Sequence, residues 1–282
     1  MKRNITDAIY DLVSNPQLTL KEYASQHNRA NDMGESLEQY IKDLFAGTTG
    51  VMNAELRAKK LSETFAYLGN KNNPPDAIIR GDLAIEIKKI ESNDNSIALN
   101  SSHPKDKLYS SSTMISKACR GCEVWTEKDM LYCIGVVKNS HLKSLALVYG
   151  EDYCANEETY KIIKNRIKTG VESIQGVEFT STRELGRVNR VDPLGITHLR
   201  VRGMWSIENP FKVFGDHYQR DTSCAFNLMV IINDNQLSKL TNIQRLYDLQ
   251  KDFTNLQIKS ILIKNPNNPA QLKSATLITY KI

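Results

Sequence analysis

Two carboxylates and a lysine, at positions 76, 86 and 88, stand out in the segment PDAIIRGDLAIEIKK. Two short apolar runs flank the sequence RGD at positions 80–82. A glycine inside a three-residue loop is typical of a β-hairpin, because glycine accepts a positive φ. Such a loop places Asp76 opposite Glu86, and Lys88 lies on the same side as Glu86 since side chains alternate along a strand. The spacing therefore predicts two carboxylates and an ammonium on one face of an apolar hairpin.

These side chains suit the hydrolysis of a phosphodiester, an anionic electrophile that needs an aligned water and a cation. Carboxylate oxygens bind Mg²⁺, and Mg²⁺ retains waters that can act as the nucleophile. Asp76, Glu86 and the carbonyl of Ile87 are the candidate metal ligands. We expect Lys88 to hold the attacking water and to stabilise developing charge. A lysine beside two carboxylates is not expected to have the lowered pKa of a general base.

The hairpin also has a plainer interpretation, because acid-x-lysine patterns are common on solvated strands that carry no chemistry. The proline before Asp76 and the apolar strand around Glu86 favour the metal site. Asp82 is an alternative first ligand, but it lies in the predicted turn. The segment GESLEQYIKDLF resembles the helix beside the catalytic hairpin of metal-dependent nucleases, where an acidic residue often joins the metal site. This resemblance makes Glu38, on the flank of the apolar stripe, a further catalytic candidate. Its nearest substitute is Glu35, and a plain solvated helix position is the alternative.

The composition is that of a folded protein with a sizeable core, since 40% of the 282 residues are hydrophobic and 24% are charged. The net charge of +5 and the pI of about 8.8 suit a partner that carries phosphates without requiring one. We expect no membrane span and no secretory signal, because no apolar stretch approaches the ~20 residues that cross a bilayer. Five cysteines, an odd number, favour reduced thiols in a cytoplasm over a disulfide framework.

A zinc site is a weaker possibility. Cys119 and Cys122 form a CxxC motif, and Cys133 and His141 follow it, so that four residues could hold zinc. Cys133, however, lies in an apolar run where a buried thiol needs no metal, and the chain has no second CxxC motif. We therefore do not expect zinc.

The hydrophobic patterns alternate between helical and strand periods, which predicts a mixed α/β sheet flanked by helices. The predicted helices start near Thr6 and near Thr19, the latter reaching Ala24, and others cover residues 34–47, 53–68, 109–118, 156–168 and 236–251. The predicted strands beyond the hairpin cover residues 130–137, 144–149, 196–202, 225–233, 258–263 and 275–280.

Two segments outside the hairpin carry candidate nucleic-acid contacts. The first follows the hairpin and supplies the hydroxyls, amide and lysines that commonly bind phosphates. Its candidates are Asn100, Ser101, Ser102, His103, Lys105 and Lys107. An ordinary solvated loop explains this composition equally well.

The second segment holds the densest basic region of the chain. Its basic residues are Arg183, Arg187, Arg190, Arg200, Arg202, Lys212 and Arg220. His198, Arg200 and Arg202 share one face of a predicted strand, with Leu199 and Val201 turned toward a core. Arginines on a strand can reach the major groove, where a bidentate contact with guanine is the commonest specific contact. An amphipathic surface strand is the alternative.

Three segments, PDAIIRGDLAIEIKK, ALNSSHPKDKL and LRVRGMWSIENPFKVF, resemble in order and spacing the type II restriction endonucleases of the NgoPII-like group. This group belongs to the PD-(D/E)xK superfamily, and the resemblance runs from about Gly34 to Phe214. It implies a restriction-endonuclease-like core that cleaves double-stranded DNA with Mg²⁺. It also implies a homodimer, a short palindromic site associated with GGCC, and 5′-phosphate and 3′-hydroxyl ends.

The sequence therefore predicts one endonuclease domain over residues 1–282. Its catalytic core covers about 34–150, and its DNA-recognition elements cover about 99–120 and 183–220. We expect no nucleotide cofactor. Two other functions compete: a structure-specific repair or junction nuclease with the same hairpin, and a non-catalytic DNA-binding protein whose carboxylates are structural.

Overall fold

The structure, a computed structural model, describes residues 2–20, 29–70, 73–182 and 184–282. Its helices are α1 (Ile5–Ser14), α2 (Arg29–Ala46), α3 (Ala54–Thr64), α4 (Lys117–Arg120), α5 (Gly150–Tyr153), α6 (Glu157–Glu172), α7 (Pro210–Val213), α8 (Asp234–Leu237) and α9 (Gln244–Asp252). Its strands are β1 (Phe65–Asn70), β2 (Asn73–Ile79), β3 (Ala84–Ile90), β4 (Ile97–Asn100), β5 (Lys107–Tyr109), β6 (Glu127–Lys138), β7 (His141–Tyr149), β8 (Glu178–Phe179), β9 (Gly186–Asn189), β10 (Leu199–Val201), β11 (Trp205–Ile207), β12 (Asn227–Asn233), β13 (Leu256–Asn265) and β14 (Asn268–Lys281). Among these described helices, none has the length and apolar character to cross a membrane.

Nine strands form one mixed sheet. Eight of them follow the order β1-β2-β3-β6-β7-β12-β14-β13, and β5 pairs with part of β6. The pairs β3–β6 and β7–β12 are parallel, and the other neighbours are antiparallel. The predicted mixed α/β sheet flanked by helices is confirmed.

Both faces of this sheet are covered, which places the core in two layers. On one face, Ile9 of α1, Phe45 of α2 and Leu246 of α9 belong to one buried cluster. On the other face, Met130 of β6 and Phe211 of α7 belong to a second cluster. The central strand β12 is buried at every residue, as expected of a strand with both faces covered. The hairpin strands therefore lie in a firmly packed sheet.

The start of α1 and the buried face of α2 follow from local residue types. The side chain of Asn4 accepts a hydrogen bond from the N–H of Thr6 at 2.9 Å, and the Asp7 carboxylate accepts one from the N–H of Asn4 at 3.1 Å. These two bonds form a capping box at the start of α1. In α2, Leu37 and Ile41 are buried as the predicted apolar stripe requires.

The β2–β3 hairpin has the predicted register. Ala77 pairs with Ile85, and Ile78 pairs with Ala84. Gly81 in the loop has a φ of 65°, which glycine adopts without steric cost. The loop is therefore the predicted three-residue turn at positions 80–82.

Two small sheets lie outside the main one. Strands β8, β9 and β10 form a three-stranded antiparallel sheet, which we call the satellite sheet, and Arg200 lies opposite Arg187 in it. Strands β4 and β11 form a two-stranded sheet in which Trp205 lies opposite Asn100. The β4–β11 pairing brings the two predicted DNA-recognition segments together.

Several predicted elements are wrong in extent. The helix expected over 53–68 ends at Thr64, and residues 65–70 form β1, because pairing with β2 satisfies their backbone groups. The helix expected over 109–118 is largely absent, since β5 pairs with β6 and only α4 is helical. The segment predicted as one helix over 236–251 forms parts of α8 and α9 instead. Most of the second predicted helix, up to Ala24, and Arg183 lie outside the described residues.

Candidate active site

The hairpin brings the three predicted side chains together. The register that pairs Ala77 with Ile85 also places Asp76 of β2 opposite Glu86 of β3. The Lys88 Nζ lies 2.6 Å from Glu86 Oε1 and 3.9 Å from Asp76 Oδ2. All three side chains are mostly buried. The predicted face with two carboxylates and one ammonium is therefore present.

Ile87 contributes its backbone to the same place. Its N–H donates a hydrogen bond to Asp76 Oδ2 at 2.6 Å instead of to a carbonyl of β2. Because the N–H and C=O of one strand residue point to the same side, the Ile87 carbonyl faces the Asp76 side as well. Its side chain points the other way and is buried in the core, as predicted.

The two carboxylates have the properties of a cation site. Glu86 Oε2 is buried and has no hydrogen-bond partner among the described residues. Burial and the neighbouring Glu86 raise the pKa of Asp76 to about 6. The described residues contain no group of three or more His, Cys, Asp or Glu side chains placed to hold a metal ion. A metal ion here would therefore need two carboxylates and a backbone oxygen, a donor set that fits Mg²⁺.

Lys88 is held as a charged group. Burial alone would lower its pKa, but Glu86 and Asp76 outweigh burial, and the pKa of Lys88 is raised above its usual value. A raised pKa suits a hydrogen-bond donor and a fixed positive charge. It does not suit a group that must accept a proton from water at neutral pH.

The raised pKa of Asp76 gives a prediction about stability. A carboxyl group whose pKa rises from 3.8 to about 6 on folding stabilises the fold below pH 3.8, and this contribution is lost as the pH rises through 6. In EDTA at pH 8, Asp76→Asn should therefore raise the free energy of unfolding by about 3 kcal/mol. Denaturant unfolding at pH values from 4 to 8 measures this difference. A difference that does not shrink toward pH 4 would contradict the assignment.

Glu38 lies on α2, close enough to the hairpin to act on its charges. It forms an ion pair with Lys42. The charge of Glu38 contributes to the raised pKa of Lys88, and the charge of Lys42 lowers the pKa of Asp76. The Glu38–Lys42 pair therefore interacts electrostatically with Lys88 and Asp76 of the hairpin. Sequence analysis missed Lys42, because nothing in the helix pattern distinguishes it from a solvated lysine.

Glu38→Gln tests whether this pair supports chemistry. If it does, we expect the single-turnover cleavage rate to fall more than about tenfold, with DNA affinity largely unchanged. The matched control is Glu63→Gln on α3, which disrupts an exposed pair of the same spacing with Lys59. Equal cleavage rates for Glu38→Gln and Glu63→Gln would show that Glu38 is an ordinary surface residue of α2.

A glycine sets the position of Asp76. A Cβ on Gly69 of β1 would lie 2.5 Å from the carbonyl oxygen of Pro75 and 2.8 Å from the Cα of Asp76. The backbone of β1 therefore packs directly against the chain that carries the carboxylate. Sequence analysis did not single out Gly69, because it followed a segment predicted to be helical.

A cleft of about 460 Å³ holds many of the predicted DNA contacts. The predicted residues that line it are Ser101, Ser102, His103, Lys105 and Arg202. The lining residues that sequence analysis missed include Lys161 and Lys164 of α6, and the hydroxyl-bearing run at positions 111–113. No sequence signal marks these lysines, because α6 reads as a solvated, charge-rich helix.

Aromatic rings fix one wall of this cleft. The His103 ring stacks on the Tyr160 ring with centroids 5.2 Å apart, and Trp205 meets both rings edge-on. This contact joins the loop after β4 to α6 and β11. The wall is therefore built from three separate parts of the chain.

The other candidates lie outside the cleft lining. Asn100 is exposed with a φ of 54°. Lys107 pairs with Glu127. Arg187 and His198 are exposed on and beside the satellite sheet, and Arg190 pairs with Glu178.

The predicted orientation of the reading strand is wrong in one respect. Leu199 was expected in the core, but it is 49% exposed, and the strand expected over 196–202 spans only the three residues of β10. The reason is that β10 is an edge strand of the satellite sheet. Leu199 shares a face with the buried Val188 but lacks a neighbour on its other side.

One carboxylate holds two of the arginines. Glu184 accepts hydrogen bonds from Arg200 Nε at 3.0 Å and from Arg200 Nη2 at 2.6 Å. It also accepts one from Arg202 Nε at 2.6 Å. The two guanidinium groups are therefore oriented together, and both remain more than half exposed.

The cysteines form no metal centre among the described residues. All five are free, and Cys133 is fully buried in β6. Burial raises the pKa of the Cys119 thiol to about 12.

A mixed sheet flanked by helices, with an acidic hairpin in it, is the arrangement of the restriction-endonuclease-like fold. The chain belongs to the NgoPII restriction endonuclease family, whose model matches residues 3–264. It is 51% identical over 280 residues to the Type II restriction enzyme NgoPII of Neisseria gonorrhoeae, covering 99% of this chain and 100% of that protein. No solved structure matches the chain. The resemblance read from the sequence is confirmed, and the protein is a type II restriction endonuclease.

Proposed function

We propose that this enzyme hydrolyses double-stranded DNA at a short palindrome in a Mg²⁺-dependent reaction, with Asp76, Glu86 and Lys88 as its catalytic residues. The observation that carries the proposal is the buried carboxylate pair. Glu86 has one oxygen without a hydrogen-bond partner among the described residues, opposite a second carboxylate whose pKa is raised. A bound cation stabilises such a pair in an apolar sheet.

Asp76, Glu86 and the carbonyl oxygen of Ile87 would hold the ion, since all three offer the hard oxygen ligands that Mg²⁺ prefers. When bound, Mg²⁺ neutralises charge on the phosphate and lowers the pKa of a water ligand. Without a cation, the carboxylates would repel a phosphodiester, and Lys88 supplies only one positive charge against them.

Lys88 orients the attacking water with an ammonium that stays charged at neutral pH, because its pKa is raised. It acts as a hydrogen-bond donor and a positive charge, and it does not accept the proton of the water. Attack forms a bond between the water oxygen and phosphorus and breaks the bond to the 3′ oxygen. The attacking water gives up a proton to solvent, and the 3′ oxygen takes one from solvent. The products carry a 5′ phosphate and a 3′ hydroxyl.

The palindrome and the dimer are two parts of the same proposal. We describe one carboxylate pair per chain, and cutting both strands of a duplex requires two such centres. A two-fold homodimer supplies them and presents the same reading surface to each half of a palindrome. The sequence resemblance makes GGCC the first site to test.

The proposed DNA contacts fall into two groups. Those at the cleft, which suit phosphates and the nearby bases, are Ser101, Ser102, His103, Lys105 and Arg202. Those around it are Asn100, Lys107, Arg187, Arg190, His198 and Arg200. The paired orientation of Arg200 and Arg202 supports a role in base reading, because a fixed guanidinium can form a bidentate contact with guanine.

We also place the enzyme in the cytoplasm of a prokaryote. Its five cysteines are free, and Cys122 and Cys224 are not fully buried. Accessible thiols persist in a reducing compartment and oxidise readily outside it.

Digestion of a sequenced plasmid tests the proposal. We expect discrete fragments with Mg²⁺, none with EDTA, and none from Glu86→Gln purified in parallel. Sequencing of the fragment ends then identifies the site and the cut position. A junction or repair nuclease would give no discrete fragments from an intact duplex, and a non-catalytic binder would give no fragments at all.

A further inference from the structure

Lys105 is buried without a counter-charge. It is 6% exposed, and its Nζ donates hydrogen bonds to Ser102 Oγ at 2.7 Å and to the carbonyl of His103 at 3.2 Å. Both acceptors are neutral, and no carboxylate of the described residues forms an ion pair with it. By contrast Lys128, which is 7% exposed, pairs with Glu123. An ammonium in an apolar environment is costly unless an anion accompanies it.

Lys105 lies between the cleft and the hairpin site. It lines the cleft, and the charge of Glu86 acts on it. Burial lowers the pKa of Lys105, and the opposing effects of Glu86 and Glu157 do not cancel that shift. A further negative charge close to the ammonium would therefore stabilise it.

The backbone of Lys105 is fixed to the same strands that carry the site. Its N–H donates a hydrogen bond at 2.7 Å to the hydroxyl of Tyr132, and Tyr132 is the direct partner of Glu86 in the β3–β6 pair. A Cβ on Gly150 would lie 2.3 Å from the carbonyl oxygen of Lys105, so the chain packs against a glycine there. Such anchoring holds a side chain in one place, as a group that must meet a reacting atom requires.

We propose that Lys105 is a further catalytic residue, whose ammonium binds a non-bridging oxygen of the scissile phosphate. This inference rests on the proposed function, because it uses the same centre and the same substrate. The phosphoryl oxygens gain negative charge in the transition state. A fixed cation in a poorly hydrated site stabilises that state more than it stabilises bound DNA. Lys105 would thus supply the positive charge on the cleft side of the phosphate, complementing Lys88 on the hairpin.

Lys105→Met should reduce the single-turnover cleavage rate by about 10²–10³-fold. Affinity for the cognate duplex, measured in EDTA, should fall about tenfold or less. Lys128→Met is the matched control, since it also removes a buried ammonium but lies away from the cleft. It should keep the wild-type rate at a temperature where it is folded. Lys105→Arg should restore part of the rate, because it keeps the charge.

A neutral phosphate identifies the contact itself. A methylphosphonate at the scissile position should weaken binding of the duplex to the wild-type enzyme, because it removes the charge that Lys105 contacts. The same replacement should change the affinity of Lys105→Met little, because that variant has already lost the contact. An equal loss of affinity in both proteins, or a wild-type cleavage rate for Lys105→Met, would refute the inference. If the methionine variant does not fold, Lys105→Gln carries the same expectations. Failure of the wild-type enzyme to cut any DNA would instead refute the proposed function.

Discussion

Glu86→Gln is expected to reduce the single-turnover rate of DNA cleavage by on the order of a thousandfold or more. Glu86 has a buried oxygen without a described hydrogen-bond partner, lies opposite Asp76, and binds Lys88 at 2.6 Å. Glutamine keeps the shape and much of the hydrogen bonding but removes the charge that a cation would neutralise. Binding to cognate DNA should stay measurable, and could only gain from the loss of a carboxylate that repels phosphate.

Cleavage of a labelled duplex by excess enzyme measures this rate, and titration of the same duplex in EDTA measures affinity. The control is Glu91→Gln. Glu91 directly follows β3, its side chain is exposed, and it pairs with Lys89. It should cut normally. Ordinary cleavage by Glu86→Gln would remove the carboxylate pair from the mechanism, whatever the family of the protein.

The second expectation is that Arg200→Ala narrows the affinity gap between cognate and random DNA by about 5- to 150-fold, equivalent to about 1–3 kcal/mol for one bidentate base contact. Arg200 is more than half exposed, and Glu184 fixes its guanidinium plane through two hydrogen bonds. Arg202 shares that carboxylate, so Arg202→Ala should act in the same direction.

Titrations of cognate and random duplexes at several salt concentrations separate base reading from charge. Lys107→Ala should weaken both duplexes alike and reduce the salt slope by about one unit, as loss of a phosphate contact does. Arg166→Ala removes an exposed arginine on α6 outside the cleft. It should change neither the affinity gap between cognate and random DNA nor the salt slope by much. Full discrimination by both Arg200→Ala and Arg202→Ala would move the reading surface to Arg187 and Arg190.

The hairpin was predictable because its determinants are local. Alternation along β3 decides which residues share a face, and a glycine at position 81 fixes the turn, so the register needs no knowledge of the rest of the chain. The mixed sheet was predictable for a similar reason, since its long strands are continuous apolar runs in the sequence. The three sequence segments that resemble the family narrowed the function beyond what the hairpin alone allows.

The missed features depend on partners distant in sequence. Residues 65–70 become a strand only because β2 offers its edge, and Gly69 matters only because that strand packs on the residues around Asp76. Lys105 is a predicted phosphate contact in a segment that a solvated loop would explain equally well, yet the fold buries it where the charge of Glu86 acts on it. Leu199 follows a perfect strand alternation but lies on an edge that no other element covers. Tertiary context outweighs local pattern at each of these positions.

A role of the satellite sheet in base reading would give this enzyme a route to change its specificity. All four arginines proposed as DNA contacts lie in or directly after β9 and β10, apart from the nine-stranded sheet that holds the hairpin. The neighbouring helix α6 has no buried residue. Substitutions at such exposed positions usually change stability by only about 0.5 kcal/mol, whereas changes in a packed core cost several times more. Mutagenesis confined to residues 178–207, followed by selection, is therefore expected to yield variants with new target sequences and an unchanged hairpin site.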